Sequence, residues 1–111
     1  MKKISCRLSD ESMEFFKKLK RDKGISRNVI FNNLLKEFLL LDVDDLKTFI
    51  NENFKYEKEI SNATLTFYDD TYIEVITNKF KDIKKGDIYK SIIDYFIKLS
   101  EQEKEQYYKK Y

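Results

Sequence analysis

The sequence predicts a mainly helical fold built on a short antiparallel β-ribbon, with one run of elements present twice in the chain. Three observations carry that expectation. Two short stretches alternate apolar and polar residues with the period of a strand: Lys3-Ile4-Ser5-Cys6-Arg7-Leu8 and Asn62-Ala63-Thr64-Leu65-Thr66-Phe67. Each is followed by apolar residues at helical spacing. The two halves also superpose along the chain. Leu8-Ser9-Asp10-Glu11 falls on Phe67-Tyr68-Asp69-Asp70 at an offset of 59, and Leu34-Leu35 with Phe38 falls on Ile92-Ile93 with Phe96 at an offset of 58. A strand of this length does not stand alone, and two of them pairing antiparallel make a ribbon.

Taken in order, Ser9 to Ser12 supplies capping oxygens and early acidic side chains for a first helix that runs to about Lys23. Met13, Phe16 and Leu19 form its inner face, and Lys17, Lys18, Lys20 and Arg21 its outer one. Gly24 ends it as a left-handed cap. Ser26 is the natural cap of a second helix, apolar from Val29 through Ile30, Phe31, Leu34, Leu35, Phe38, Leu39 and Leu41, with Asn32, Asn33, Lys36 and Glu37 as its polar surface. So wide an apolar face exceeds what one neighbouring helix covers. It places this helix at the centre of a dimer-like core and makes a homo-oligomer through apolar helices an expectation.

Asp42-Val43-Asp44-Asp45 caps a third helix carrying Leu46, Phe49, Ile50 and Phe54, and Tyr56 to Ser61 is a charged connector. The second half repeats strand, helix, helix, helix. One residue is lost in the first helix or in the turn after it, where Gly24-Ile25-Ser26-Arg27 faces Asp82-Ile83-Lys84-Lys85, and Ser100 to Glu103 forms a capping box for a last helix over 100–111. Tyr107 and Tyr108 fall opposite Phe49 and Ile50, which favours packing over base stacking for a cluster that also includes Tyr111. The segments are therefore 1–41, 42–61, 62–99 and 100–111.

Composition narrows the function. A chain of 111 residues is one domain, or two very small modules sharing a core. It has no apolar run approaching the roughly 18 residues of a membrane span and no apolar centre of a signal peptide, so we expect an intracellular protein without membrane contact. Cys6 is the sole cysteine and histidine is absent, so neither a disulfide framework, a metal ligand set nor a cofactor is expected. The usual general base is missing, no nucleophile–base pair can be named, and the chain reads as a non-enzyme. Cys6 itself lies on the apolar side of the strand and reads as a small core residue. The net charge of +2 conceals a gradient: residues 1–41 hold ten Lys and Arg against five Asp and Glu, residues 42–60 three against six, and residues 61–111 nine against nine.

Lys3-Ile4-Ser5-Cys6-Arg7-Leu8-Ser9-Asp10, a helix ending at Gly24, Ile25-Ser26-Arg27-Asn28 and an apolar helix together resemble a ribbon-helix-helix DNA-binding module. Thr64-Leu65-Thr66-Phe67 with Ile83-Lys84-Lys85-Gly86-Asp87-Ile88 is similar to versions common in archaea. The resemblance covers residues 2–41 and 62–99, and its tandem arrangement is similar to regulators of hyperthermophilic archaeal viruses. It implies two ribbon-helix-helix repeats forming an intrachain pseudo-dimer, each with an added helix, acting inside a cell that such a virus infects. The second half lacks the glycine that ends the first helix of the first half, and in the family the two modules usually come from separate chains.

The chemistry of such a ribbon follows from the major groove, which admits two strands and shows each base pair as a distinct set of donors and acceptors. The outward residues are Lys3, Ser5 and Arg7 on the first strand and Asn62, Thr64 and Thr66 on the second. Arg7 and Lys3 suit guanine, Asn62 suits adenine, and the hydroxyls are permissive. The same residues would also serve as the solvated face of an edge strand, with lysine as a guard against aggregation. Phosphate anchoring is expected at the start of each second helix, at Ser26, Arg27 and Asn28 and at Lys84, Lys85 and Gly86, where free N–H groups and the dipole favour anions. The expected function is sequence-specific binding of double-stranded DNA by a transcriptional regulator, in the sense of a repressor. The alternative is an antitoxin or another protein-interaction module whose acidic connector or helices capture a partner.

Overall fold

The two alternating stretches pair with each other inside one chain. The computed structural model describes residues 2–57 and 60–109, so Tyr111 and the middle of the charged connector lie outside it. β1 (Lys3–Ser9) and β2 (Ile60–Thr66) form an antiparallel ribbon with Arg7 opposite Asn62, Ser5 opposite Thr64 and Lys3 opposite Thr66. After β1 come α1 (Asp10–Lys23), α2 (Arg27–Phe38) and α3 (Val43–Asn53); after β2 come α4 (Thr71–Asn78), α5 (Lys85–Lys98) and α6 (Glu101–Glu105). Strand, helix, helix, helix is thus present twice.

Local chemistry sets the boundaries. The Ser9 hydroxyl accepts the Ser12 N–H at 3.0 Å, so one residue closes β1 and caps α1. α1 stops at Gly24, whose φ of 68° is left-handed and would strain any side chain, and whose N–H donates to the Lys20 carbonyl. Asp42 caps α3 through the Asp45 N–H. Ser100 and Glu103 make both bonds of the expected capping box on α6.

The core lies beneath the ribbon. Cys6, Leu8, Ala63 and Leu65 point down from it, and Ile30, Phe31, Leu34 and Leu35 of α2 meet Ile88, Ile92, Ile93 and Phe96 of α5 there, all buried. Each buried Leu, Ile and Phe among them contributes on the order of 1.5–3 kcal/mol. Phe31 stands edge-on to Tyr89 at 5.8 Å and tilted against Phe67 at 5.6 Å, joining α2, α5 and the end of β2. The broad apolar face of α2 is therefore covered within the chain, by α5, α3 and the ribbon.

Two expectations are corrected, and α4 is shorter than α1. Asn32 is no surface residue but fully buried, because its amide bonds the backbone of β2. α4 has 8 residues where α1 has 14, and the loops on either side of α4 take up the difference. The last helix does not run to 111: α6 covers Glu101–Glu105, because a turn brings the Tyr107 hydroxyl to Glu37 at 2.7 Å and Asn33 donates to the carbonyls of Tyr107 and Lys109. Tyr107 is buried against Phe96, in the packing role its spacing predicts. Among the described residues no helix is long and apolar enough to cross a membrane.

Candidate nucleic-acid interface

The ribbon turns one polar face outward. Lys3, Ser5 and Arg7 of β1 and Asn62 and Thr64 of β2 are exposed, while Cys6, Leu8, Ala63 and Leu65 are buried, as strict alternation requires. Thr66 departs from its expected place on the open face. It is only 8% exposed, and its hydroxyl accepts from Asn28 Nδ2 at 3.5 Å.

The cause lies at the edge of the ribbon. The Phe67 N–H donates to the Lys2 carbonyl, which fixes the phase of the ladder and turns the backbone groups of Thr64 and Thr66 away from β1. α2 takes up those groups. Arg27 Nε donates to the Thr64 carbonyl at 3.2 Å, Asn28 Oδ1 accepts the Thr66 N–H at 3.0 Å, and Asn32 donates to the Thr66 carbonyl at 2.7 Å while accepting the Tyr68 N–H at 2.9 Å. Asn28 and Asn32 stand one helical turn apart, on the same face. This row closes an edge that would otherwise offer itself to another strand. It also reassigns Asn28, one of the residues expected at phosphate, whose amide is committed to β2.

The starts of both second helices flank the ribbon. Ser26, the residue before α2, makes no side-chain capping bond, so its backbone position and Arg27 carry what anion affinity that end has. Lys17 and Lys20 of α1 line a cleft of about 570 Å³ together with Ser26, Arg27 and Asn28. By helical spacing alone these two lysines belong to the solvated outer face of α1. The signal that could have found them was the basic excess of residues 1–41 combined with their spacing of three on one helix.

At the opposite edge, Lys84, Gly86 and Asp87 at the start of α5 share a cleft of about 270 Å³ with Ser5 and Arg7 of β1. Lys84, Lys85 and Gly86 are all exposed. Each flank of the outward face carries cations, with Glu14 lining the first cleft and Glu57 and Asp87 the second, and a fixed dipole end contributes at each.

Beneath β1 the chemistry is structural. Lys90 and Asp94 form a buried pair at 2.6 Å, and together they hold the chain just after α3: Lys90 donates to the Lys55 carbonyl, and Asp94 accepts the Lys55 N–H at 3.0 Å. The Lys90 ammonium also lies 4.8 Å from the centre of the Phe54 ring. Burial pushes the neighbouring Cys6 thiol up to about 12, with Lys90 opposing the rise, so the thiol stays protonated and inert. Among the described residues no group of carboxylates and cysteine is placed to hold a metal ion.

Searches against protein-family models, curated proteins and solved structures find no match to this chain.

Proposed function

We propose that the chain is a sequence-specific double-stranded DNA-binding regulator made of two ribbon-helix-helix repeats in tandem, an intrachain pseudo-dimer that inserts its ribbon into the major groove. The observation that carries this reading is the pairing register. Two antiparallel strands related by a two-fold axis must place a residue opposite its own counterpart where the axis crosses them. Ser5 opposes Thr64, which is 59 residues on, the same offset that superposes the sequence around Leu8 on that around Phe67. α2 and α5 begin 58 residues apart, as do α3 and α6. The rows of the ladder span separations of 51 to 63 residues, so the row at 59 brings counterpart positions together near the middle of the ribbon, which supports a duplicated module.

The mechanism follows from the exposed groups. The ribbon offers Arg7, Asn62, Ser5 and Thr64 to base edges, with Lys3 able to meet a base or a phosphate, and the two flanking helix starts, with Arg27, Lys17 and Lys20 on one side and Lys84 and Lys85 on the other, hold phosphates. Neutralising about five phosphates makes binding fall steeply with salt, with a log–log slope near −4.5 at about −0.9 per phosphate. Occupying a promoter in this way would repress it. The test is Arg7→Ala, titrated against the duplex the protein prefers and a shuffled duplex. A bidentate contact to guanine predicts a loss of about 1–3 kcal/mol on the first and little on the second. Equal losses on both would reduce Arg7 to a phosphate contact, and failure of the unmodified protein to bind either would refute the reading.

A further inference from the structure

We infer that the ribbon reads DNA from one end, with base discrimination concentrated at the row formed by Arg7 and Asn62; this inference rests on the proposed DNA-binding reading. A ribbon of two identical strands shows the same pair of residues at both ends. Here the register sorts the outward residues into three rows: Arg7 with Asn62, Ser5 with Thr64, and Lys3 with Thr66. The end rows are unlike in residue type and in freedom.

At one end, Arg7 and Asn62 are both exposed, and among the described residues neither side chain is held by a partner. They form a non-hydrogen-bonded pair, in which opposite Cα atoms lie about 4.5 Å apart, so both reach the same or adjoining base pairs. Their chemistry is the most selective on the face: a guanidinium matches guanine O6 and N7, and a carboxamide matches adenine N6 and N7. At the other end Thr66 is buried and bonded to Asn28. Lys3 remains there alone, a flexible point charge that serves a phosphate as well as a base. The end rows are four residues apart along each strand, about 13 Å, or roughly four base pairs.

The source of this polarity is visible in the helices. Thr66 is the counterpart of Arg7 at the offset of 59, and the counterpart of Asn28 at the offset of 58 is Gly86. Asn28 draws Thr66 down onto α2; Gly86 has no side chain with which to draw Arg7 onto α5. The counterpart of Asn32 is Lys90, which is turned to Asp94 and the Lys55 carbonyl instead of the edge of β1. The same place in the two repeats thus clamps one reading residue and releases the other.

The test is a single-base substitution scan of the preferred duplex against the unmodified protein, Arg7→Ala, Asn62→Ala and Lys3→Ala, each variant first shown to keep its melting temperature. Substitutions are expected to be costly at one end of the site and tolerated about four base pairs away. Arg7→Ala and Asn62→Ala should each weaken the preferred duplex on the order of 10- to 100-fold and abolish discrimination at that same end. Lys3→Ala should weaken preferred and shuffled duplexes alike. Equal sensitivity at both ends, or Arg7→Ala and Asn62→Ala relaxing opposite ends, would overturn the polarity and leave DNA reading intact. An unmodified protein that cannot tell preferred from shuffled duplex would overturn both.

Discussion

Replacing Asn32 with alanine should remove a large part of the stability of this fold, although the substitution deletes only a small polar group. The side chain is fully buried and makes three bonds: it donates to the Asn28 carbonyl at 2.8 Å and the Thr66 carbonyl at 2.7 Å, and accepts the Tyr68 N–H at 2.9 Å. The Asn28 carbonyl belongs to the ladder of α2 and loses little. The Thr66 carbonyl and the Tyr68 N–H lose a partner in a place from which water is largely excluded, and each such orphan costs about 1–3 kcal/mol. Tyr68 is half-buried, which puts its share at the low end, so the total is about 2–4 kcal/mol. Against the roughly 5–15 kcal/mol that holds a small domain together, this is a substantial fraction. In urea, with a slope of about 1–3 kcal/mol per molar, the midpoint should fall by about 1–2 M. Because Asn28 and Asn32 both hold Thr66, the double variant should cost less than the sum of the single ones. A midpoint within about 0.3 M of the unmodified protein, about 0.3–0.9 kcal/mol at such a slope, would refute the account of Asn32 as the clamp on the edge of β2.

Asp94→Ala leaves the Lys90 ammonium buried without its carboxylate and should cost about 3–5 kcal/mol in the same assay, whereas replacing both members with apolar residues of similar volume should recover most of that loss. Stability should also fall at alkaline pH. The Cys6 thiol is raised from 9.0 to about 12 by burial, so the unfolded chain releases its proton first and stability declines as pH rises through that window. Tyr89, raised to about 12 by burial, acts with the same sign above pH 10, so unfolding curves for Cys6→Ala should begin to decline about one pH unit later than those of the unmodified protein. Ser5→Cys with Thr64→Cys, in a Cys6→Ala background, should form a disulfide within one chain, since the two positions face each other. The bridge would close a loop of nearly sixty residues, an entropic stabilisation of about 4 kcal/mol; covalent dimers on a non-reducing gel would contradict the intrachain ribbon.

Much of this architecture was legible in period and spacing. Cys6 and Leu8 alternate with Ser5 and Arg7, and the structure puts the first pair inside and the second outside. Ser9, Gly24, Asp42 and Ser100 mark element boundaries with their own chemistry. What escaped detection depends on tertiary partners. Asn32 lies on the polar side of α2 by any hydropathy pattern, and only the nearby edge of β2, 34 residues away in the chain, makes it a core residue. Thr66 obeys strand alternation, yet α2 covers it. Lys90 reads as a surface cation in a helix until Asp94, one turn later, and the chain beyond α3 enclose it. The C-terminal tyrosines continue a helical spacing, but the bond from Tyr107 to Glu37 favours a turn over a sixth helix of full length. Spacing within an element reports which face is apolar; it does not report which polar residue on the other face meets a strand edge.

The central claim is that the ribbon of a single chain reads duplex DNA. It is tested most directly by incubating the unmodified protein with a pool of duplexes carrying a random core and sequencing what it retains over successive rounds. The account predicts one enriched consensus, not palindromic, with guanine and adenine fixed near one end and little constraint about four base pairs away. A pool that stays random through those rounds would contradict it.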